Sequence, residues 1–131
     1  MLKIEKNLIS QISFGLLMLV MSNLSYAELV QTLSQDQYNQ LLQQYTAQVN
    51  ETKKILDDPK VKFDAATQKQ AFCTRLTAYQ QIADMSKANI TLESASIMLM
   101  AANSFLERQK QSFIDSGMTE QVFCALSKVE N

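Results

Sequence analysis

Apolar residues recur at steps of three and four along three long stretches of this chain, a spacing that predicts helices. In the first, LSQDQYNQLLQQYTAQVNETKKILDDP, the positions Tyr38, Leu41, Leu42, Tyr45, Val49, Thr52 and Leu56 share one face of a helix of about 3.6 residues per turn. Ser34, with Gln37 three residues on, forms a capping-box pair, and Leu33 stands where a hydrophobic staple would meet Tyr38. Asp57, Asp58 and Pro59 end this segment, because proline disfavours helical backbone in the residue before it. The second stretch, FDAATQKQAFCTRLTAYQQIADMSKAN, offers Asp64 as N-cap and a stripe of Ala65, Phe72, Leu76, Tyr79, Ala83 and Ile90, with Cys73 on its flank. The third, TLESASIMLMAANSFLERQKQSFIDSGM, starts from Thr91 as cap and buries Ala95, Met98, Leu99, Ala102, Phe105, Leu106 and Phe113. Gly117 supplies a left-handed C-terminal residue, which places Met118 to touch Phe113. A short fourth helix from Thr119 would use Val122, Phe123, Leu126 and Val129.

The three long segments are each about 25 residues, or about 37 Å as helix. Their connections are short, so consecutive helices should run antiparallel. The expected fold is all-α, an up-down antiparallel three-helix bundle with a short fourth C-terminal helix. No bounded period-two run, internal repeat or long linker interrupts that picture.

Ahead of the helices lies the most apolar stretch, FGLLMLVMSNLSYA, from Phe14 to Ala27. Its unbroken apolar part ends at Met21, short of the roughly 20 residues that a membrane-spanning helix requires. Lys3 and Lys6 precede it, and the small residues Ser25 and Ala27 close it. A basic head, a short apolar middle and a small-residue end together predict a secretory signal peptide over residues 1–27, cleaved after Ala27. Residues 28–131 then form a single helical-bundle domain in the bacterial periplasm or outside the cell. No cysteine follows the cleavage point to take a lipid, so no stable membrane anchor is expected after processing.

Loss of Lys3, Lys6 and Glu5 with the signal takes the formal charge from −1 to −2. The remaining basic residues are scattered among acidic ones from Lys53 to Lys128, which argues against nucleic acid as a partner. The chain contains no histidine, so Ser-His-Asp and Cys-His catalysis and histidine-ligated zinc or haem are excluded. Gly15 and Gly117 are the only glycines, too few for a phosphate-cradling loop. Asp84, Glu93, Glu107 and Asp115 fall mostly on polar helix sides, where solvated charge accounts for them. Met98 and Met100 could suggest copper, but methionine commonly fills core gaps and no Met-x-x-Met series is present. No catalytic residue, cofactor or metal site is expected, and the chain reads as a non-enzyme.

Cys73 and Cys124 would reach an oxidising compartment, where disulfides persist. Helix 3 returns the chain to the starting end of helix 2, so helices 2 and 4 run parallel and place the two sulfurs at similar heights. A bond between them is expected, in preference to free or intermolecular thiols. On a helical wheel, however, Cys124 points away from Val122, Ala125 and Val129. Pairing therefore requires the fourth helix to turn its Phe123 and Cys124 side inward, or to end early. A thiol oxidoreductase is disfavoured, since such enzymes usually hold their cysteines as Cys-x-x-Cys.

In IMLM, Ile97 to Met100, four consecutive apolar residues sweep about 300° of a helix and cannot all face one core. Met98 and Leu99 belong to the core stripe, whereas Ile97 and Met100 land on the other side beside Ser96, Ser104 and Gln111. They are either ordinary exposed apolar residues or one edge of a partner-binding or dimer surface.

Leu33 to Gln37, LSQDQ, resembles the Leu-Thr-x-x-Gln motif of the Spy/CpxP-type periplasmic chaperones, with Leu33, Ser34 and Gln37 matching and serine in place of threonine. That family consists of small exported helical proteins that dimerise into a cradle and hold unfolded clients. The likeness covers five residues and occurs once, where the family carries the motif twice. The same letters also spell a stapled capping box. The expectation is thus a small exported protein that binds another protein through a helix face, as an inhibitor, immunity protein or envelope adaptor would. A chaperone for unfolded clients is the alternative, and a small-ligand carrier a further one.

Overall fold

A computed structural model describes residues 32–125. The expected signal peptide, residues 1–27, and the apolar positions Leu126 and Val129 lie outside the described residues. The described chain forms four helices: α1, Gln35–Leu56; α2, Ala65–Ala88; α3, Ala95–Asp115; and α4, Glu120–Ala125. No strand occurs among the described residues. The bundle is the one expected from the apolar spacing.

Each long helix begins or ends on a local signal. Gln37 N–H donates to the Ser34 hydroxyl, and Ser34 N–H donates to Gln37 Oε1, which completes the capping box. Asp64 caps α2 by accepting from the backbone N–H and the hydroxyl of Thr67, and those bonds hold its carboxyl below the ordinary aspartate value. At the end of α3, Met118 N–H donates to Phe113 O at 3.0 Å and Gly117 N–H donates to Ile114 O at 3.0 Å. This is the complete Schellman pattern, with Gly117 at φ +69°. Any side chain at Gly117 would strain the backbone there.

Side-chain pairs establish the antiparallel order. Tyr38 near the start of α1 meets Ser86 near the end of α2, and Thr52 and Asp57 at the far end of α1 meet Arg75. Between α2 and α3, Phe72 packs on Phe113 and Tyr79 stacks on Phe105 with centroids 4.1 Å apart. Helix α2 lies between its two neighbours, both of which pack extensively on it. Leu42 and Tyr45 from α1 and Met98, Leu99 and Leu106 from α3 reach a common cluster of Ile82, Ala83 and Ala102.

This arrangement corrects the stripe expected on α2. Ala65 and Ile90 are exposed, and Ile90 follows the end of the helix. Phe72, Leu76, Tyr79 and Ala83 form only the side toward α3. A second side, Ala71, Arg75, Ala78, Ile82 and Ser86, faces α1, so the buried sector spans about 160° at 100° per residue. Alanines on this side let the helices approach closely, and polar groups complete it. Tyr38 and Ser86 are fully buried, their hydroxyl oxygens 2.8 Å apart. Replacing Tyr38 by Phe should cost about 1–2 kcal/mol in urea unfolding, because the buried Ser86 hydroxyl loses its partner. Adding Ser86→Ala to that variant should restore much of the loss, whereas additive losses would show that the hydroxyl pair is not coupled.

Helix α3 also starts later than expected. Thr91 does not cap it; residues 89–94 form turns, and the helix begins at Ala95 after Ser94, whose φ is +66° and whose side chain caps nothing. The cause is tertiary. Glu93 N–H donates to Gln35 Oε1 on α1 at 2.8 Å, and Leu33 N–H donates to the buried Asn89 Oδ1 at 2.8 Å. These bonds hold the α2–α3 turn against the start of α1 and delay the helix by one turn.

Candidate functional site

The two cysteines singled out by sequence are joined. Cys73 and Cys124 form a disulfide with Cα atoms 5.7 Å apart. The wheel conflict is resolved by rotation of α4: Phe123 and Cys124 turn inward, while Val122, expected in the core, is 56% exposed. The reason lies beside the bond. Phe72 meets Phe113 and Phe123 edge-on, and Phe113 and Phe123 are tilted against each other, with all centroids 5.8–6.0 Å apart; this cluster draws in the side of α4 that carries the cysteine. Lys69 Nζ lies 5.3 Å from the centre of the Phe123 ring. Together with Met118, these rings border a hollow of about 350 Å³ that is open to solvent.

Ile97 and Met100 lie on the first turns of α3, on the side away from α2. They are 65% and 68% exposed, among the most exposed large apolar residues described. Around them Ser96, Ala101, Asn103 and Ser104 are also exposed. Ala95 to Leu106 contains no charged residue, and the charge on α3 begins at Glu107. Arg108 bends back to donate to Ser104 Oγ at 2.7 Å and marks the border of this uncharged face. The same helix buries Ala95 and Ala102 on its inner side. The first half of α3 therefore has two faces fit for close packing, one used by α2 and one open.

The carboxylates considered for chemistry remain apart. Asp84, Glu93, Glu107 and Asp115 are all exposed, and Asp84 and Asp115 accept from Gln80 and Gln111 one turn earlier on their own helices. Among the described residues no group of three or more cysteine or carboxylate side chains is placed to hold a metal ion. No described helix is long and apolar enough to cross a membrane.

A polar junction not anticipated from sequence joins α1 to α2. Arg75 makes a bidentate pair with Asp57, both N–O distances being 3.0 Å, and its Nε donates to Thr52 Oγ1 at 2.7 Å. Thr52 is buried and in turn donates to Val49 O. The available signal was a lone arginine flanked at helical spacing by Ala71, Ala78 and Ile82. Beside it a shallow hollow of about 330 Å³ opens between α1 and α2 at Gln48, Ile55, Gln70 and Thr74.

Leu33, Ser34 and Gln37, the residues that resemble the chaperone motif, all act at the start of α1: two close the capping box and one anchors on Asn89. No protein-family model matches the chain, and no curated protein or solved structure compared with it is significantly similar.

Proposed function

We propose that this chain is a small exported, non-enzymatic protein that binds another protein through the outward face of α3 around Ile97 and Met100. The observation that carries this reading is the pairing of two strongly exposed apolar residues with an uncharged helical stretch. The cores of protein interfaces are depleted in charge and enriched in methionine. Small neighbours such as Ala101 and Ser104 would let a partner helix or loop come close to the backbone. Export is supported by the basic head, apolar middle and small-residue end of residues 1–27, and the Cys73–Cys124 bond is compatible with an oxidising compartment. The absence of histidine supports a binding role over catalysis.

Affinity capture from the cell envelope tests the proposal, using the processed chain with and without Ile97→Asp and Met100→Asp. A discrete partner retained by the parent and lost by the double variant is the expected result. Both substitutions are at exposed positions, so thermal stability should change little. Capture of many unrelated clients by the parent would favour the chaperone alternative. If neither form retains a partner, binding through this face is wrong.

A further inference from the structure

Helix α4 is the least self-sufficient element of the described fold. Its described part, Glu120–Ala125, is six residues, whereas an isolated helix needs about 12–15 to persist in water. Glu120, Gln121, Val122 and Ala125 are exposed, so among the described residues of α4 it is Phe123 and Cys124 that face the bundle. The chain reaches α4 through Gly117, whose left-handed backbone ends α3, and through Met118 and Thr119, which belong to neither helix. Among the described residues, α4 meets the start of α2 through the Cys73–Cys124 bond and, next to it in sequence, through Phe123, which contacts Phe72 and Lys69 and is flanked by Phe113. The cluster of Ile82, Ala83 and Ala102, with Leu42, Tyr45, Tyr79, Met98, Leu99 and Leu106 packed against it, includes no described residue of α4.

We propose that the Cys73–Cys124 disulfide is a redox-operated latch: its reduction releases α4 about the Gly117 turn and uncovers Phe72 and Phe113, while α1, α2 and α3 stay folded. The co-reactant is a dithiol. Its thiolate attacks one protein sulfur, giving a mixed disulfide and expelling the other cysteine as a thiolate that takes up a proton. The second thiol of the reductant, losing its proton, then closes a cyclic disulfide and frees the remaining cysteine, so two electrons pass to the protein. Both cysteines are only half-buried, which leaves the bond open to a small thiolate. Once the bond is broken, the covalent tether no longer offsets the cost of ordering α4, and the contacts of Phe123 with Phe72, Phe113 and Lys69 carry more of it.

Amide hydrogen exchange on the oxidised chain, with and without dithiothreitol, tests the latch. Reduction should speed exchange at the amides of Phe123 to Ala125 by about tenfold or more, and change those of residues 38–52 and 76–86 by less than about threefold. In the oxidised chain, Phe123→Ala should leave the α4 amides within about threefold of the parent, because the covalent tether remains. Three results would each overturn the proposal: α4 equally protected after reduction, α4 unprotected while oxidised, or all helices losing protection together. A Phe123→Ala chain as open as the reduced parent would also overturn it, since the rings would then be the latch.

Discussion

Replacing both Cys73 and Cys124 by serine should lower the unfolding free energy by about 3–4 kcal/mol, and the melting temperature by roughly 15–25 °C. The bond spans 51 residues, so it removes a large part of the freedom of the unfolded chain. Loop-closure entropy for a span of that size corresponds to about 4 kcal/mol at room temperature. The figure is trimmed at its lower end if α4 comes loose in the native state, because part of the freedom gained on cutting the bond is then available before unfolding. The size of the effect also reflects how thin the core is. Among the described residues, five of the nine buried apolar ones are alanines, so the bundle gains much from close backbone approach and little from large side chains. Thermal melts of the oxidised parent and the double-serine variant, monitored by helix ellipticity, measure the difference. A shift below about 5 °C would show that the bridge contributes little to stability.

Ile82→Ala is the second large effect, expected to destabilise by about 3 kcal/mol. Ile82 is 2% exposed and belongs to the cluster with Ala83 and Ala102, against which side chains from α1 and α3 both pack. The hole left by truncation is hard to refill. Its immediate neighbours Ala83 and Ala102 have no side-chain freedom, and α2 is held from two sides, so neither flank can collapse without losing contact with the other. Cavity cost then adds to the lost transfer energy. Urea titration should show a lower midpoint with an unchanged slope, the signature of lost stability without a change in the surface exposed on unfolding. Ile97→Ala is the matched control: it removes the same atoms from an exposed site and should change stability by less than about 0.5 kcal/mol. Equal losses at the two positions would mean that the outward face of α3 is covered in solution.

The same contrast separates what was legible in the chain from what was not. Ile97 and Met100 could be assigned outward from a wheel, because four apolar residues in a row cannot all share one face. The first half of α3 is uncharged to the eye as well, although its meaning depends on knowing that Ser96, Ala101, Asn103 and Ser104 are exposed around the pair. The Arg75, Asp57 and Thr52 junction was not read, since a charged side chain on a helix is ordinarily solvated, and its apolar flanks at Ala71, Ala78 and Ile82 do not name the partners that leave Arg75 only 14% exposed.

By itself the sequence determined the features that depend on residues within a turn or two of each other. These are the three amphipathic segments, the Ser34 and Gln37 capping box, the Asp64 cap and the Gly117 ending of α3. It also determined that two cysteines would fall at one height once the helices folded back. Tertiary structure decided the rest. The side of α2 toward α1 is buried because Tyr38 reaches Ser86 across 48 residues and Thr52 meets Arg75 across 23. The start of α3 is moved to Ala95 by a bond from Gln35 to Glu93 across 58. The rotation of α4 follows from Phe72 and Phe113, which lie on two other helices. Hydrophobic period and caps act over one helical turn, whereas these choices are made by partners that folding alone brings together.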